Sequence, residues 1–573
     1  MKEIENLKLH FNMCGILGGN LIKTNHDMKN GLVSMMHRGT DGNTIFSFKN
    51  GMKLSHNRLS IQDLSEVANQ PMISDCGRYY LAFNGELWKS TFDKFNDTLR
   101  SKYNFKTNNS DSELLLYFLI DNYKNLKSKM NELEGMFSFA FYDKEKDYLI
   151  LGRDFMGRLP FYYYHNGQEI VFSSEVKGIT ESVKEIPYYN IDKGSSWKPS
   201  EYKDKELIKI VEPGTFITYN SVGALKEYVW FDFKPKPFDI NHPTGYYPRT
   251  QEEFDLYDSE DKGIDYYSSE FKRLLEDAVE DEMIADVPIC TILSGGIDST
   301  IISYILSKKL KAQGKRLTAF VVNVSKNRKS NTKDDLHYAR LASKLFDIDL
   351  IEIDYDELDV ERKLIHSIWA SETHKWTQIS PAVIQLALAW RIRKEGFKVV
   401  FGGEGADEIF ASYGDVKRFC WPQPIWYHQK RVNLLNRLHQ TNLIRTNKAM
   451  MYGGEVELRT PFINKKVIDF GLRIPTKYRD ENEGNGQRMK YVLRKAFELD
   501  IGSLDEELLW RPKKTFQVGA HSDFLKKDIW KRKIEHIFKK LFIEKNENTE
   551  LRELLAQGQS GHLRGSITEV TID

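Results

Sequence analysis

Between residues 13 and about 180 the apolar positions come in short aromatic or β-branched runs broken by Gly, Asn and Asp: "YYLAFNGEL", "MFSFAFYD", "DYLILGRD" and "LPFYYYHNGQEIVFSSE". Runs of this kind predict strands joined by tight turns, with a helical segment or two among them. Between about 185 and 265 the pattern loosens into the polar, proline-punctuated stretches "DKGSSWKPSEYKDKE" and "FKPKPFDINHPTGYYPRTQEE", with one strand signal, "TFITY", between them. A domain boundary belongs there. From about 266 the period becomes helical in "EFKRLLEDAVEDEM" and "STIISYILSKKLKAQ", alternating with the buried-strand runs "VPICTIL" and "LTAFVVNV". That alternation implies a parallel sheet covered by helices. The stretch "ISPAVIQLALAWRIRKEGFKVVFGGEGADE" repeats the theme, the chain to about 540 is mostly helical, and the last thirty or so residues, with "AQGQSGHLRGS", read as a polar tail.

A chain of 573 residues exceeds what one hydrophobic core serves, so more than one large domain is expected. The expected division is 1–13, a leader or mis-assigned start; 14–215, an α+β domain; 216–265, a linker or insertion; 266–545, an α/β domain; and 546–573, the tail, the bounds at 13 and 215 being those the family resemblance given below implies. With 83 basic against 82 acidic residues the net charge is +1, which leaves no field to attract nucleic acid or a lipid surface. Small molecules are the expected partners. Cys14, Cys76, Cys290 and Cys420 form no CxxC pair, and no apolar run approaches the roughly 18 residues of a membrane helix. A reducing, cytoplasmic setting is expected. Cys76, Cys290 and Cys420 read as small apolar fillers.

Candidate chemistry sits where strands end. In "VPICTILSGGIDSTIISYIL" the turn Ser294–Ser299 passes from strand to helix through two glycines, which let backbone N–H groups approach an anion at the helix N-terminus. Asp298 could there hold Mg²⁺ against a phosphate. Read alone, the same turn could be plain geometry with an N-cap. A second glycine turn, "VVFGGEGADEIF", carries Glu404, Asp407 and Glu408 at the carboxyl end of a strand, where open α/β sheets bind ligands.

"SGGIDS", "GGEGADE" and "VELRTPFINKKVIDF" together resemble the synthetase domain of glutamine-hydrolysing asparagine synthetases, built on an N-type ATP pyrophosphatase (adenine nucleotide alpha hydrolase-like) fold. The resemblance implies that a carboxylate attacks the α-phosphate of ATP, pyrophosphate leaves and ammonia captures the acyl-adenylate. On that basis Ser294, Gly295, Gly296, Asp298 and Ser299 cradle the pyrophosphate, Asp298 and Asp407 bind Mg²⁺, and Leu293, Val322, Gly402 and Gly403 line the nucleotide site. Glu404 assists formation and capture of the adenylate. "RPKK" supplies a cation to the pyrophosphate, Lys513 being favoured over Lys514.

The first half resembles class II glutamine amidotransferases, N-terminal-nucleophile enzymes with stacked antiparallel sheets flanked by helices. The motifs run in order: "MCGILGG", "MHRGTDG", "HNRLSIQDLS", "AFNGEL", "NNSDSELLL", "LGRDFMGRLPFYYY" and "FSSEVKGI". By resemblance Cys14 is the nucleophile, Asn84 and the N–H of Gly85 form the oxyanion hole, and Arg58 binds the glutamine carboxylate. Asp111 with Glu86 holds the ammonium group, and backbone at Leu59, Ser60, Ile61 and Gln62 completes the pocket. His37 and His56 are given packing and hydrogen bonding, not acid–base work. A thiol needs a base, and the α-amino group of Cys14 serves only if Cys14 is the first residue. Either translation begins at Met13, which is then removed, or residues 1–13 are a cleaved propeptide; the first is preferred.

Thr40 stands where the family usually has proline and Trp88 where it has tyrosine, and "SETHKWTQISP", residues 371–381, lacks the family's Thr/Arg-containing segment. The leading reading is ATP-dependent amidation of aspartate to asparagine; the alternative is the same chemistry on another carboxylate, a sugar acid or natural-product precursor. The resemblance also implies a homodimer.

Overall fold

The computed structural model describes residues 14–39, 41–186, 207–232, 252, 261–324, 334–355, 357–413, 424–479, 489–511, 527–544 and 567–572. In chain order the first half lays down β1 (Gly15–Gly19), β2 (Gly42–Phe48), β3 (Lys53–Arg58), β4 (Met72–Ile73), β5 (Tyr79–Leu87) and β6 (Gly135–Asp143). It continues with β7 (Tyr148–Arg153), β8 (Tyr162–His165), β9 (Ile170–Ser173), β10 (Lys209–Ile210), β11 (Thr215–Tyr219) and β12 (Leu225–Val229). These strands form two sheets, in the orders β10-β8-β9-β1-β3-β2 and β12-β11-β7-β6-β5-β4, antiparallel throughout.

Side-chain alternation explains why the sheets stack. In β6, Phe137, Phe139 and Phe141 point to the helices α1 (Lys89–Lys102) and α2 (Asp111–Asn122), while Ala140 and Tyr142 point to the other sheet. In β5, Leu81 and Phe83 take the helix side and Tyr80 and Ala82 the inter-sheet side. Neighbouring strands thus agree on both faces, and a one-residue slip would invert them.

The second half builds a five-stranded parallel sheet from β13 (Ile289–Ile292), β14 (Thr318–Val324), β15 (Asp349–Tyr355), β16 (Val399–Phe401) and β17 (Glu457–Arg459), ordered β15-β14-β13-β16-β17. Among the helices around it are α3 (Ile297–Ala312), α4 (Trp376–Lys394) and α5 (Asn442–Gly454). Both expected sheet classes are therefore present.

Two boundaries differ from the sequence reading. Thr215–Tyr219 and Leu225–Val229 are strands of the first domain's sheet, so residues 216–229 are not linker: β11 pairs with β7 along its length. Residues 567–572 of the expected polar tail form β18 (Ile567–Ile572), which adds to β2 in parallel and seats Val570 and Ile572 against the inter-sheet core. Cys290 is buried as expected, but Cys76 is exposed, its thiol beside Ser74 Oγ at 3.3 Å. Cys420 lies outside the described residues.

The domains meet over a mixed surface. Leu59, Ile61, Phe155, Met156 and Leu159 join the second domain's core, and Arg158 donates to Glu282 at 3.1 Å. No described helix is long and apolar enough to cross a membrane.

Candidate active sites

Cys14 precedes β1, the strand between β3 and β9. Its Sγ faces the Leu59 carbonyl at 3.7 Å, and its own carbonyl accepts from Arg38 Nε at 3.1 Å. Burial pushes the thiol up to about 12; the Leu59 contact opposes this, Glu86 adds to it and Arg58 opposes it. A thiol so placed is protonated near neutral pH and is inert without a base.

On β5, Asn84, Gly85 and Glu86 lie opposite Ser138, Phe137 and Met136. Gly85 has φ +135°, and a Cβ there would lie 2.0 Å from the Met136 carbonyl oxygen, so only glycine fits. Asn84 reaches Ser138 Oγ at 3.4 Å through Nδ2, and its buried Oδ1 has no hydrogen-bond partner. The carboxamide keeps capacity for a ligand. Arg58, ending β3, donates through Nη1 to the Ser65 carbonyl and Asn69 Oδ1, both at 2.8 Å, and through Nη2 to the Asp63 carbonyl. The loop after it fixes its plane.

Glu86 is bonded by Gln62, and Asp111, at the start of α2, accepts from the Leu87 N–H at 3.0 Å. Burial, then the Asp111 charge, holds the Glu86 carboxyl well above the usual range; burial lifts Asp111 to about 7. Glu457, on β17 of the second domain, adds to both shifts. Glu457 accepts from Arg459 Nε at 2.8 Å, and the Arg459 charge opposes the rise of Glu86. The backbone of Leu59–Gln62 is held from both sides: the Ser60 N–H donates to Asp41 at 2.9 Å, Lys398 donates to the Ser60 carbonyl at 3.1 Å, and the Asp286 N–H donates to the Ile61 carbonyl at 3.0 Å. His56 bonds the Phe83 carbonyl at 2.9 Å, and burial lowers it to about 3; burial likewise lowers His37. His56 is therefore neutral near pH 7.

In the second domain the two glycine turns end adjacent parallel strands, β13 and β16. They touch: a Cβ on Gly403 would meet Asp298 Cβ at 2.8 Å and the Ser299 nitrogen at 2.9 Å. Gly295, at φ +67°, turns the chain beneath Tyr338. A cavity of about 250 Å³ opens over both turns, bounded by Ser294, Gly296, Asp298, Ser299, Gly402, Gly403, Glu404 and Asp407. Leu293 and Val322, expected there, are packed in the core and do not line it; Ile292 does. Lys513 and Lys514 lie outside the described residues. Arg511 of the same motif lines the cavity, donating to the Ser294 carbonyl at 3.1 Å.

Two charged groups in this cavity, Lys490 and Arg445, carried no signal in the sequence reading. Lys490, at φ +63°, places its ammonium 2.6 Å from Asp298 Oδ2 and 2.7 Å from Asp407 Oδ1. Burial lowers its affinity for the proton, but the two carboxylates more than offset this and raise it. Arg445, on α5, donates to Gln385 Oε1 at 3.3 Å and Asn442 Oδ1 at 2.9 Å, both neutral amides; burial lowers it to about 10. Glu404 is half-buried, with Oε2 shielded from solvent and lacking a hydrogen-bond partner; desolvation raises its carboxyl, with Arg445 in opposition. A periodicity search cannot find such residues, because they come from separate elements and meet only in the fold.

A glutamine amidotransferase domain model matches residues 13–230, and an asparagine synthase model matches 270–431 and 422–565. The chain is 30% identical over 511 residues to asparagine synthetase B [glutamine-hydrolyzing] of Escherichia coli (strain K12), spanning 85% of this chain and 78% of that protein. It is 28% identical over 511 residues to a probable asparagine synthetase [glutamine-hydrolyzing] of Schizosaccharomyces pombe, spanning 85% and 80%. With a probable asparagine synthetase [glutamine-hydrolyzing] of Acanthamoeba polyphaga mimivirus it shares 26% identity, over 94% of this chain and 90% of the other.

Proposed function

The chain belongs to the glutamine-hydrolysing asparagine synthetase family, and on that premise we propose that it amidates aspartate to asparagine, consuming ATP and glutamine and releasing AMP, pyrophosphate and glutamate. The observation that carries this reading is the meeting of the Ser294–Ser299 and Gly402–Asp407 turns at one cavity, with the unbonded Glu404 carboxylate oxygen and Arg445 beside them.

In the first site Cys14 attacks the glutamine amide carbon. Its thiol requires a base, and the α-amino group of Cys14, free once residues 1–13 are gone, has an ordinary pKa of about 8 and suits that task. Asn84 Nδ2 and the Gly85 N–H receive charge on the carbonyl oxygen as the tetrahedral intermediate forms. Arg58 takes the α-carboxylate, and the Glu86–Asp111 pair takes the α-ammonium, whose positive charge favours ionisation of both carboxyls. Intact mass of the active protein tests the requirement: it should begin at Cys14, and an active species still carrying residues 1–13 would refute it.

In the second site the aspartate side-chain carboxylate attacks the α-phosphate of ATP and pyrophosphate leaves. The Ser294–Ser299 N–H groups and hydroxyls, with Lys490 and Arg511, stabilise charge on the departing phosphates. Asp298 and Asp407 are the hard-oxygen pair that would hold Mg²⁺ with phosphate oxygens, and the ion would neutralise charge on the pyrophosphate; both carboxylates now converge on the Lys490 ammonium, which would turn to the phosphates as the ion takes its place. Glu404, uncharged or charged according to its neighbours, is suited to manage the ammonia proton as the adenylate is captured. Arg445 is the cation for an acceptor carboxylate. Its present partners are neutral amides, and it stands in for the arginine missing from residues 371–381, where α4 begins at Trp376 instead.

That missing segment also keeps the second reading, another carboxylate acceptor. One assay separates them: protein with glutamine, ATP and Mg²⁺, following pyrophosphate and glutamate with and without aspartate. Aspartate-dependent pyrophosphate release is expected; glutaminase activity indifferent to aspartate but answering to a sugar acid would transfer the reading to the alternative.

A further inference from the structure

Residues 371–381 hold one charge whose use neither active site explains. Glu372, at φ +53° between the helix Glu357–Ser371 and α4, accepts from the backbone N–H groups of Val176 at 3.2 Å and Lys177 at 2.7 Å, across the domain boundary. Its carboxylate is bonded by Lys448 of α5 and lies 3.7 Å from the Lys177 ammonium. Lys177 contacts Glu175, and Glu175 accepts from Arg38 Nη1 at 2.7 Å. The same Arg38 holds the Cys14 carbonyl through Nε at 3.1 Å.

The side chains of Arg38, Glu175, Lys177, Glu372 and Lys448 are each at most 2% exposed, so this is a continuous ionic chain through a buried interface. Burying five charges stabilises an interface no better than apolar packing would; what such a set adds is a single permitted arrangement, because any shift strands a charge. A non-glycine residue held at positive φ says the same of Glu372, since the surroundings must impose that conformation. Both ends of the chain reach chemistry. One end is the residue that carries the nucleophile, and the other is α5, where Lys448 lies three residues from Arg445.

We propose that Glu372 is a positioning residue that holds the two domains in the one register in which ammonia released at Cys14 reaches the acyl-adenylate. This rests on the amidotransferase reading above. The Glu372 carboxylate touches no substrate; it acts through the helix Val176–Ser182 on one side and α5 on the other. Loss of its charge should loosen transfer while leaving each half-reaction intact.

The test uses the full chain, as Glu372→Gln and as the near-isosteric, charge-deleted pair Glu372→Gln/Lys448→Met. Three rates are measured: glutamate from glutamine, pyrophosphate with ammonium and aspartate, and the glutamate-to-pyrophosphate ratio with glutamine and aspartate. The expected result is a ratio raised about threefold or more, with the two isolated half-reactions within about twofold of the parent. An unchanged ratio in either active variant overturns the inference. So does an equal loss of both half-reactions in the double variant, which would make the cluster a scaffold only. A parent enzyme that releases no pyrophosphate with aspartate instead overturns the functional reading, and this inference with it.

Discussion

Asp111 and Glu86 meet where neither can stay fully charged without a cation, and that has a measurable sign. Asp111 rises from 3.8 to about 7 on folding, so the folded protein binds more protons than the unfolded chain between those values. Stability from this group is present below pH 3.8 and is lost as pH climbs towards 7. Glutamine binding runs the other way, since its ammonium needs the ionised pair. With Cys14→Ala protein, calorimetry should find affinity tightening as pH rises towards 7, by up to about tenfold per pH unit for each carboxyl that must ionise. Asp111→Asn should weaken binding and flatten that profile. Arg445 gives a second prediction at this scale. Arg445→Met should raise the KM for aspartate about ten- to a hundredfold, the worth of a charged hydrogen bond, with the KM for ATP changed less than about threefold. Equal effects on both substrates would remove Arg445 from the acceptor site.

At the scale of elements, the two glycine turns form one device. Because a Gly403 Cβ would strike Asp298 Cβ and the Ser299 nitrogen, Gly403→Ala must separate the turns. Pyrophosphate release should fall about a hundredfold or more, the effect of a displacement near 1 Å, while glutamine hydrolysis persists. Loss of both would mean that the damage reaches the whole fold. These turns were legible in the sequence because each is a local pattern, a strand run ending in Gly-Gly and carboxylates. So were the strands of the first domain, whose alternation matches the faces seen. Lys490 was not legible: its role depends on a left-handed backbone at position 490 bringing it between Asp298 and Asp407, far away in the chain. Arg445 sits in an ordinary amphipathic helix, and Glu457 in a three-residue strand. The strand Leu225–Val229 was missed because its exposed face reads as polar loop, and Ile567–Ile572 because six residues after a glycine- and serine-rich stretch carry little pattern.

For the whole molecule, the glutamine pocket is finished by residues of the other domain. Asp286 Oδ2 accepts from the Asp63 N–H and from Asn109 Nδ2, each at 2.8 Å, on either side of the loop that positions Arg58. Asp286→Ala should therefore raise the KM for glutamine about fivefold, a cost typical of lost hydrogen bonds, and leave ammonium-supported pyrophosphate release unchanged. A shift in the ammonium-supported rate would show that Asp286 serves the second site as well. The strand Ile567–Ile572, lying along Gly42–Phe48, adds a constraint in time. A ribosome emits the whole second domain between these two strands, which at about 5–20 residues per second takes from roughly half a minute to two minutes. Throughout that interval the first sheet has an unpartnered edge of seven residues, the kind of edge at which nascent chains mispair. Synthesis order and sheet order are opposed here, and the last strand made closes the edge that one of the first strands left open.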